Sequence, residues 1–455
     1  MDLSPDSSNN MLQQGRLLHI VLYYLTGLMD VIPFLNNFIS AVLIVFSALL
    51  LSALADAASN GRFNTFEHII FSGIYISSPL MAFKFIYDLD VVAVAISSAC
   101  CVLAVISGFS FLQSRRKGEL FFALGMLLLT ISSYETFNAV FVIMVLFALL
   151  LMALFTDKKP KELCLAGLKL ALMLVAALVI YYLVVTVLQV CTNNLNHTRL
   201  SLFNRGRPVI DLLKSIAYRL LNFKLFGMAE FAAAAVVAVP TALYYSIKKK
   251  SVFVFLLFAG MGAFCLAMPV IQGQLYYRTC QTFGLFIAVI VLMVVEIFRN
   301  KRVLRAFCAC AAVLLLIWQL KDVNLWYYKD WANYQKNVYA IHNIATQLNS
   351  GYSIDKKPVC FVNRDYDSFL MSWDEDKDQY EIGESPIVSA VAFCGDITCP
   401  ELIKLFEYQE YTFLIQPSWE QAQKAIEYSE NMPGYPREGY IEELEDIIIV
   451  KMGVA

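Results

Sequence analysis

A carboxylate pair, Asp88 and Asp90, precedes an apolar stretch and follows Pro79 and an aromatic run. At the end of a membrane span such a group is either an interfacial cap or, in a cleft beside the bilayer, a general base. Asp90, nearer the apolar stretch, is the better base candidate. Two arginines are candidate cations for the same chemistry. Arg16 follows Gly15 at the head of Leu17 to Leu28, an apolar segment too short to span and interrupted by His19, which reads as an interfacial helix. There Arg16 is either an ordinary surface charge or a cation aimed at an anionic head group. Arg278, with Tyr276 and Tyr277, opens a late apolar stretch. It either snorkels within an aromatic belt or grips a phosphate, the anion that guanidinium suits best. Ser133-Tyr134-Glu135-Thr136-Phe137 makes a tight polar turn between two apolar stretches. A long loop, 191 to 228, carries Asn196, His197, Arg199, Arg205, Arg207, Pro208 and Asp211 ahead of an amphipathic stretch near 212 to 225. A loop of this length either lies on the surface as a helix or closes over a substrate cleft.

The elements that must position these residues are membrane helices. Apolar stretches of the ~20 residues needed to cross a hydrocarbon core of ~30 Å fall near residues 37 to 56, 67 to 84, 90 to 112, 118 to 134, 137 to 155, 164 to 190, 229 to 247, 252 to 270, 278 to 298 and 304 to 323. The polar gaps between them alternate in charge. One set holds Arg115, Arg116 and Lys117, then Lys158, Lys159 and Lys161, then Lys248, Lys249 and Lys250, then Arg299, Lys301, Arg302 and Arg305. Short translocated loops avoid positive charge, so this set marks the cytoplasmic side, and the candidate residues above fall on the outer side. An even number of spans places the amino terminus and everything after about residue 324 outside as well. The expected division is an outer amino-terminal segment over 1–36, a helical membrane domain over 37–324 and an extracytoplasmic α/β domain over 325–455.

Composition agrees: 59% hydrophobic, 16% charged and a mean hydropathy of +0.61 exclude an ordinary soluble globular protein. The basic clusters are short inner-loop runs, so no nucleic-acid partner is expected. Of the eleven cysteines, Cys100, Cys101, Cys164, Cys265, Cys280, Cys308 and Cys310 lie in or beside spans and read as small apolar packers. Cys191, Cys360, Cys394 and Cys399 fall where an oxidising compartment permits disulfides, and Cys394 and Cys399 are near enough in sequence to close a small loop. No His accompanies them at metal-ligand spacing, so no metal site is expected.

The tail is a different polymer, with short apolar runs and frequent charges. Helical periodicity covers Trp331 to Asn349, followed by strand-like Pro358 to Val362 and Tyr411 to Gln416. Ser418-x-x-Gln421 is a capping box opening a helix to about Asn431, stopped by Pro433, Gly434 and Pro436, and Ile447 to Lys451 makes a last strand. The acidic runs at Asp374, Glu375, Asp376 and Asp378, and at Glu442, Glu443, Glu445 and Asp446, read as solvated faces or loops.

Taken in order, these features resemble the bacterial glucosyltransferases of the Gtr type II family, grouped with the lipid-linked-sugar-dependent GT-C membrane enzymes. The features are Gly15-Arg16 opening an apolar helix, Pro79 leading to Asp90, the Ser133 to Phe137 turn, Arg278 at the start of a late span, and the Tyr435-Pro436-Arg437-Glu438-Gly439-Tyr440 tail. The resemblance implies an all-α polytopic membrane protein of about ten transmembrane helices, in the bacterial cytoplasmic membrane, with a small extracytoplasmic α/β domain. It implies transfer of glucose or a related hexose from a polyprenyl-phosphate donor to a surface glycan such as O-antigen, with membrane lipids as surroundings and no cofactor. Asp90 is then the base or acceptor anchor, with Asp88 and Asp6 as further carboxylate candidates. Arg16 and Arg278 bind the donor phosphate, and Tyr134, Glu135, Arg205 and Arg207 contact sugar or acceptor. Family members generally begin with one more span, whose outer loop carries an acidic pair ahead of the Gly-Arg step. The expectation is that this chain starts inside that loop, with Asp2 and Asp6 as its remnant, so that either the gene start lies upstream or the form is shortened. The rival classes are a transporter or flippase of lipid-linked glycans, against which the lack of two related halves weighs, and an inactive glycan-binding scaffold.

Overall fold

The computed structural model describes residues 12, 15–26, 33–82, 85, 88–134, 136–192, 210, 214, 217–218, 227–272, 280–362, 373–374, 379–380, 406–407 and 409–452. The chain divides into two compact units, one over Asp2–Val323 and one over Asn324–Ala455 together with Met1.

The described elements of the first unit are helices: α1 (Leu17–Thr26), α2 (Pro33–Ser59), α3 (Thr65–Ile76), α4 (Pro79–Ala82), α5 (Asp88–Ser114), α6 (Lys117–Ile131), α7 (Phe137–Phe155), α8 (Pro160–Cys191), α9 (Met228–Lys249), α10 (Val252–Gln272), α11 (Gln281–Ile297) and the start of α12 (Arg302–Gly351). Among the described residues each of the ten expected spans is helical, and seven of the helices are long and apolar enough to cross a membrane. The other three are shorter than expected. The second breaks at Ser77 and Ser78, because Pro79 has no N–H to give and crowds the preceding turn. The fourth ends at Ile131, in the turn that carries Ser132 to Tyr134, and the ninth is the 17-residue α11.

Helices that are apolar all round are buried in protein or lipid. α7 and α11 take the protein option, with buried side chains on every face. α7 packs against α2, α5, α8, α10 and α11, which makes it the post of the bundle. Phe147 of α7 stacks on Phe71 of α3 with ring centroids 5.4 Å apart, and Phe231 of α9 stacks on Phe283 of α11 at 3.8 Å. By contrast α8 and α12 leave rows of large apolar side chains exposed, among them Leu172, Val179, Leu183, Phe307, Leu314 and Ile317. Such rows suit acyl chains.

The second unit is a three-stranded sheet of β1 (Val359–Val362), β5 (Ile448–Lys451) and β4 (Ile441–Glu443) in the order β1-β5-β4. β1 runs parallel to β5 and β4 antiparallel to it. Side chains alternate across the strands. Val359, Phe361, Ile448 and Val450 pack with Ile341, Ile344, Ala345 and Leu348 from the end of α12, while Cys360, Val362 and Ile449 pack with Ala425 and Ile426 of α13 (Trp419–Tyr428). Cys360 is therefore a buried thiol in the sheet.

Two expectations for this unit are corrected. The helix over 331 to 349 is not a separate element, because α12 runs unbroken for 50 residues from the last span. Nothing between Leu320 and Trp331 is a Gly or Pro, so no residue there stops it. Tyr411 to Gln416 is not a strand. It makes a single ladder-like bond, Val359 N–H to the Ile415 carbonyl at 3.2 Å, and Pro417, lacking a donor, closes off any extension. A two-stranded ribbon of β2 (Trp373–Asp374) and β3 (Gln379–Tyr380) brackets the first acidic run, and β4 carries Glu442 and Glu443. Cys394 and Cys399 lie outside the described residues.

Candidate active site

The amino-terminal segment is built into the bundle by backbone bonds. Gly15 turns the chain with φ 65°, a left-handed conformation that a side chain disfavours, and Leu17 opens α1 directly after it. Tyr181 of α8 donates its hydroxyl to the Gly15 carbonyl at 2.7 Å, and Gln189, two turns on, donates to the Leu12 carbonyl at 3.1 Å. The Leu18 N–H reaches the Ser132 carbonyl at the end of α6 at 3.2 Å. α1 also packs on α5, with Leu18 and His19 buried.

These bonds bring Arg16 to the Ser133 to Phe137 turn. Its guanidinium carbon stands 5.4 Å from the centre of the Tyr134 ring, a distance at which cation and ring attract. The turn itself is tied to α5, since Ser97 donates its hydroxyl to Ser133 at 2.5 Å and both are buried. Thr136, the residue before α7, is fully buried, and its hydroxyl has no hydrogen-bond partner among the described residues. Asp90 lies seven residues before Ser97 on α5, about two turns or ~10 Å along the helix. Asp88 and Asp90 both fall in the first turn of α5. Of the predicted site residues, the structure therefore brings Arg16 and Tyr134 together and sets the Asp88 to Asp90 turn at the head of the helix they lean on. Asp6, Glu135, Arg205, Arg207 and Arg278 lie outside the described residues.

Ser97, Tyr181 and Gln189 were missed by sequence reasoning. Each is a polar residue inside an apolar stretch, which was the available signal, since such residues are costly in a membrane unless they bond or act.

The opposite end of the bundle carries charge of another kind. Glu67 caps α3 from within, its carboxylate taking the Asn64 N–H at 2.9 Å while Asn64 takes the Glu67 N–H, and it also pairs with Arg305 at 2.7 Å. Glu296 at the end of α11 pairs with Arg62 at 2.8 Å and Arg299 at 3.2 Å, and Arg299 donates to the Arg62 carbonyl. Both carboxylates are nearly buried, so these pairs join the α2–α3 turn to the α11–α12 turn. Three arginines, Arg62, Arg299 and Arg305, thus share two carboxylates at this end.

A family model described as glucosyl transferase GtrII matches residues 2–318, from the amino-terminal segment into the last span. Comparison with curated proteins and with solved structures gave no match.

Proposed function

The chain belongs to the glucosyl transferase GtrII family and is by that membership a membrane glycosyltransferase, and from this premise we propose that it moves glucose or a related hexose from a polyprenyl-phosphate donor to a cell-surface glycan. The reaction takes place at the outer face of the cytoplasmic membrane, the side opposite the basic loops. The observation that carries the reading is Arg16, whose flanking backbone is held by the Tyr181 hydroxyl of α8 and the Ser132 carbonyl after α6, against Tyr134 and beside the helix that opens with Asp88 and Asp90. An arginine and a carboxylate turn at one end of a membrane bundle are the two charges such a transfer needs.

In the proposed reaction Asp90 takes the proton from an acceptor hydroxyl as its oxygen attacks the anomeric carbon. The bond from that carbon to the phosphate oxygen breaks, and the lipid phosphate leaves with the electron pair. Arg16, joined by Arg278, stabilises the charge that grows on it, a guanidinium being able to hold two phosphate oxygens at once. Tyr134 keeps the Arg16 plane oriented, and Glu135, Arg205 and Arg207 contact sugar or acceptor.

Purified protein reconstituted in liposomes with radiolabelled polyprenyl-phosphate glucose and envelope glycan tests this. Transfer is expected, falling by about 10²–10⁴ in Asp90→Asn. Full transfer by a well-folded Asp90→Asn protein removes Asp90 from the mechanism, and transfer from a nucleotide sugar instead removes the lipid donor.

A further inference from the structure

The end of the bundle opposite Arg16 carries more positive charge than its own acids take up. Arg62, in the turn between α2 and α3, and Arg299 and Arg305, about the start of α12, share Glu296 and Glu67. Lys301 and Arg302 lie between Arg299 and Arg305 in sequence, are exposed, and join no ion pair among the described residues. Asp56 at the same corner pairs with His68, at 3.6 Å. Five cations thus stand against three carboxylates.

The arginines are also held in place. Glu67 and Glu296 are 1% and 4% exposed, so water does not compete for the acid side of each pair. Arg62 lies over the Phe155 ring, 5.6 Å from its centre, and its carbonyl accepts from Arg299. Yet these bonds use one nitrogen of each guanidinium: Nε of Arg62, Nη1 of Arg299 and Nη2 of Arg305. The three side chains stay 42%, 29% and 31% exposed, so a ligand can meet their other N–H groups without breaking a pair. Little ordering is left to lose on binding, and the planar fork matches two oxygens of a phosphate.

The neighbouring surface says which phosphate. One stripe of α3 carries Phe66, Ile69 and Gly73, and at Gly73 it meets Leu316 of α12. Nearer the arginines the stripe is uncovered, Phe66 being 48% and Ile69 62% exposed. Leu304 and Phe307, on either side of Arg305 in sequence, are exposed as well. Cationic forks at the rim of a membrane bundle, with open apolar side chains within one turn of Glu67 and Arg305, fit a phosphodiester that carries acyl chains. A soluble phosphate would leave that stripe bare.

We propose that Arg62, Arg299 and Arg305, with Lys301 and Arg302 at their edge, seat the head group of an anionic phospholipid whose chains lie along Phe66 and Ile69. The site is separate from the donor phosphate at Arg16, and its test needs no sugar transfer. The full chain in neutral detergent is titrated with phosphatidylglycerol, phosphatidylcholine or inorganic phosphate while its melting temperature is followed. Phosphatidylglycerol is expected to raise it saturably, and the other two to leave it in place. In Lys301→Gln/Arg302→Gln, which disturbs no ion pair among the described residues, the midpoint for phosphatidylglycerol rises about fivefold for each charge removed. Arg62→Gln, in which Glu296 keeps Arg299, moves it at least as far. Lys158→Gln/Lys159→Gln removes two exposed cations from the turn between α7 and α8 and moves it less than about twofold. An equal rise in that control reduces the effect to diffuse surface charge and overturns the site, as does stabilisation by phosphatidylcholine equal to that by phosphatidylglycerol. Inorganic phosphate that protects as well as phosphatidylglycerol overturns the lipid, and an unchanged midpoint in the folded Lys301→Gln/Arg302→Gln protein overturns the assignment to these residues. Should Arg62→Gln not fold, that double variant and its control decide the matter.

Discussion

Arg16 owes its position to bonds that its own side chain does not make. Tyr181 and Ser132 hold the backbone on either side of it, and Tyr134 faces its guanidinium. Arg16→Ala is therefore expected to fold and to raise the KM for the lipid-phosphate donor by about tenfold, or ~1.4 kcal/mol. Arg16→Lys recovers only part of this, since an ammonium is a point charge without the planar fork. Initial rates against donor concentration in liposomes check both, and an unchanged donor KM in Arg16→Ala would take the phosphate away from this residue. Glu67 gives the contrasting case. Its carboxylate is buried, caps α3 and pairs with Arg305, so Glu67→Ala leaves an open amide and an unmatched guanidinium. Arg305 is about a third exposed and partly rehydrates, which limits the loss to about 1–3 kcal/mol. The readout is thermal unfolding in detergent, with transfer kinetics unchanged in the surviving protein.

Helix contacts in this bundle depend on glycines where two backbones approach. A Cβ at Gly284 would stand 2.8 Å from both Cβ and Oγ of Ser78, and one at Gly108 would stand 2.7 Å from a Leu170 methyl and 3.1 Å from the Met173 methyl. The two positions differ in what can yield. Leu170 and Met173 end in flexible chains, whereas Ser78 is held in the backbone break before Pro79. Gly284→Ala is thus expected to cost more than Gly108→Ala, about 1–3 kcal/mol by overpacking. Melting temperatures of the two variants, compared side by side, decide it. On the tail, Ser418 accepts the Gln421 N–H and Gln421 returns the bond to the Ser418 N–H. Ser418→Ala should lose about 1 kcal/mol of local stability in α13, read by hydrogen exchange over Ala422 to Ile426.

The molecule as a whole combines a bundle whose surface suits lipid with a unit whose surface suits water, and the two respond to different variables. In the water-facing unit the Glu443 carboxyl is held below the ordinary carboxylate range by the hydrogen bond from Lys357, with Ser353 adding to it, and Asp446 is lowered by Lys424. A carboxyl that is more acidic folded than unfolded contributes stability above its unfolded pKa and loses it as pH falls through the folded value. The sheet of the tail is therefore expected to lose amide protection as pH drops from neutral to below the carboxylate range, about pH 3.5, after correction for intrinsic exchange. Lys357→Ala should flatten that dependence, and an unaltered profile in this variant would deny the pair its role.

The positions and types of most elements follow from sequence alone. A bilayer demands about twenty apolar residues in a row, so α2, α5, α7, α8, α9 and α10 announce themselves, and the tail strands β1 and β5 stand out as short apolar runs. Local chemistry is equally plain where it is completed within four residues, as in the Ser418 capping box. What sequence spacing does not encode is which distant polar residues meet. Ser97 with Ser133, Tyr181 with Gly15, and Ser77 with Gln319 are joined across 36, 166 and 242 positions, and inside an apolar stretch each looks like a tolerated polar residue. The continuity of α12 and the parallel pairing of β1 with β5 belong to the same class. Apolar pattern determines that a helix forms and crosses; only packing, by fixing how each helix is rotated about its axis, decided that Arg16 faces Tyr134 and that Ser77 meets Gln319.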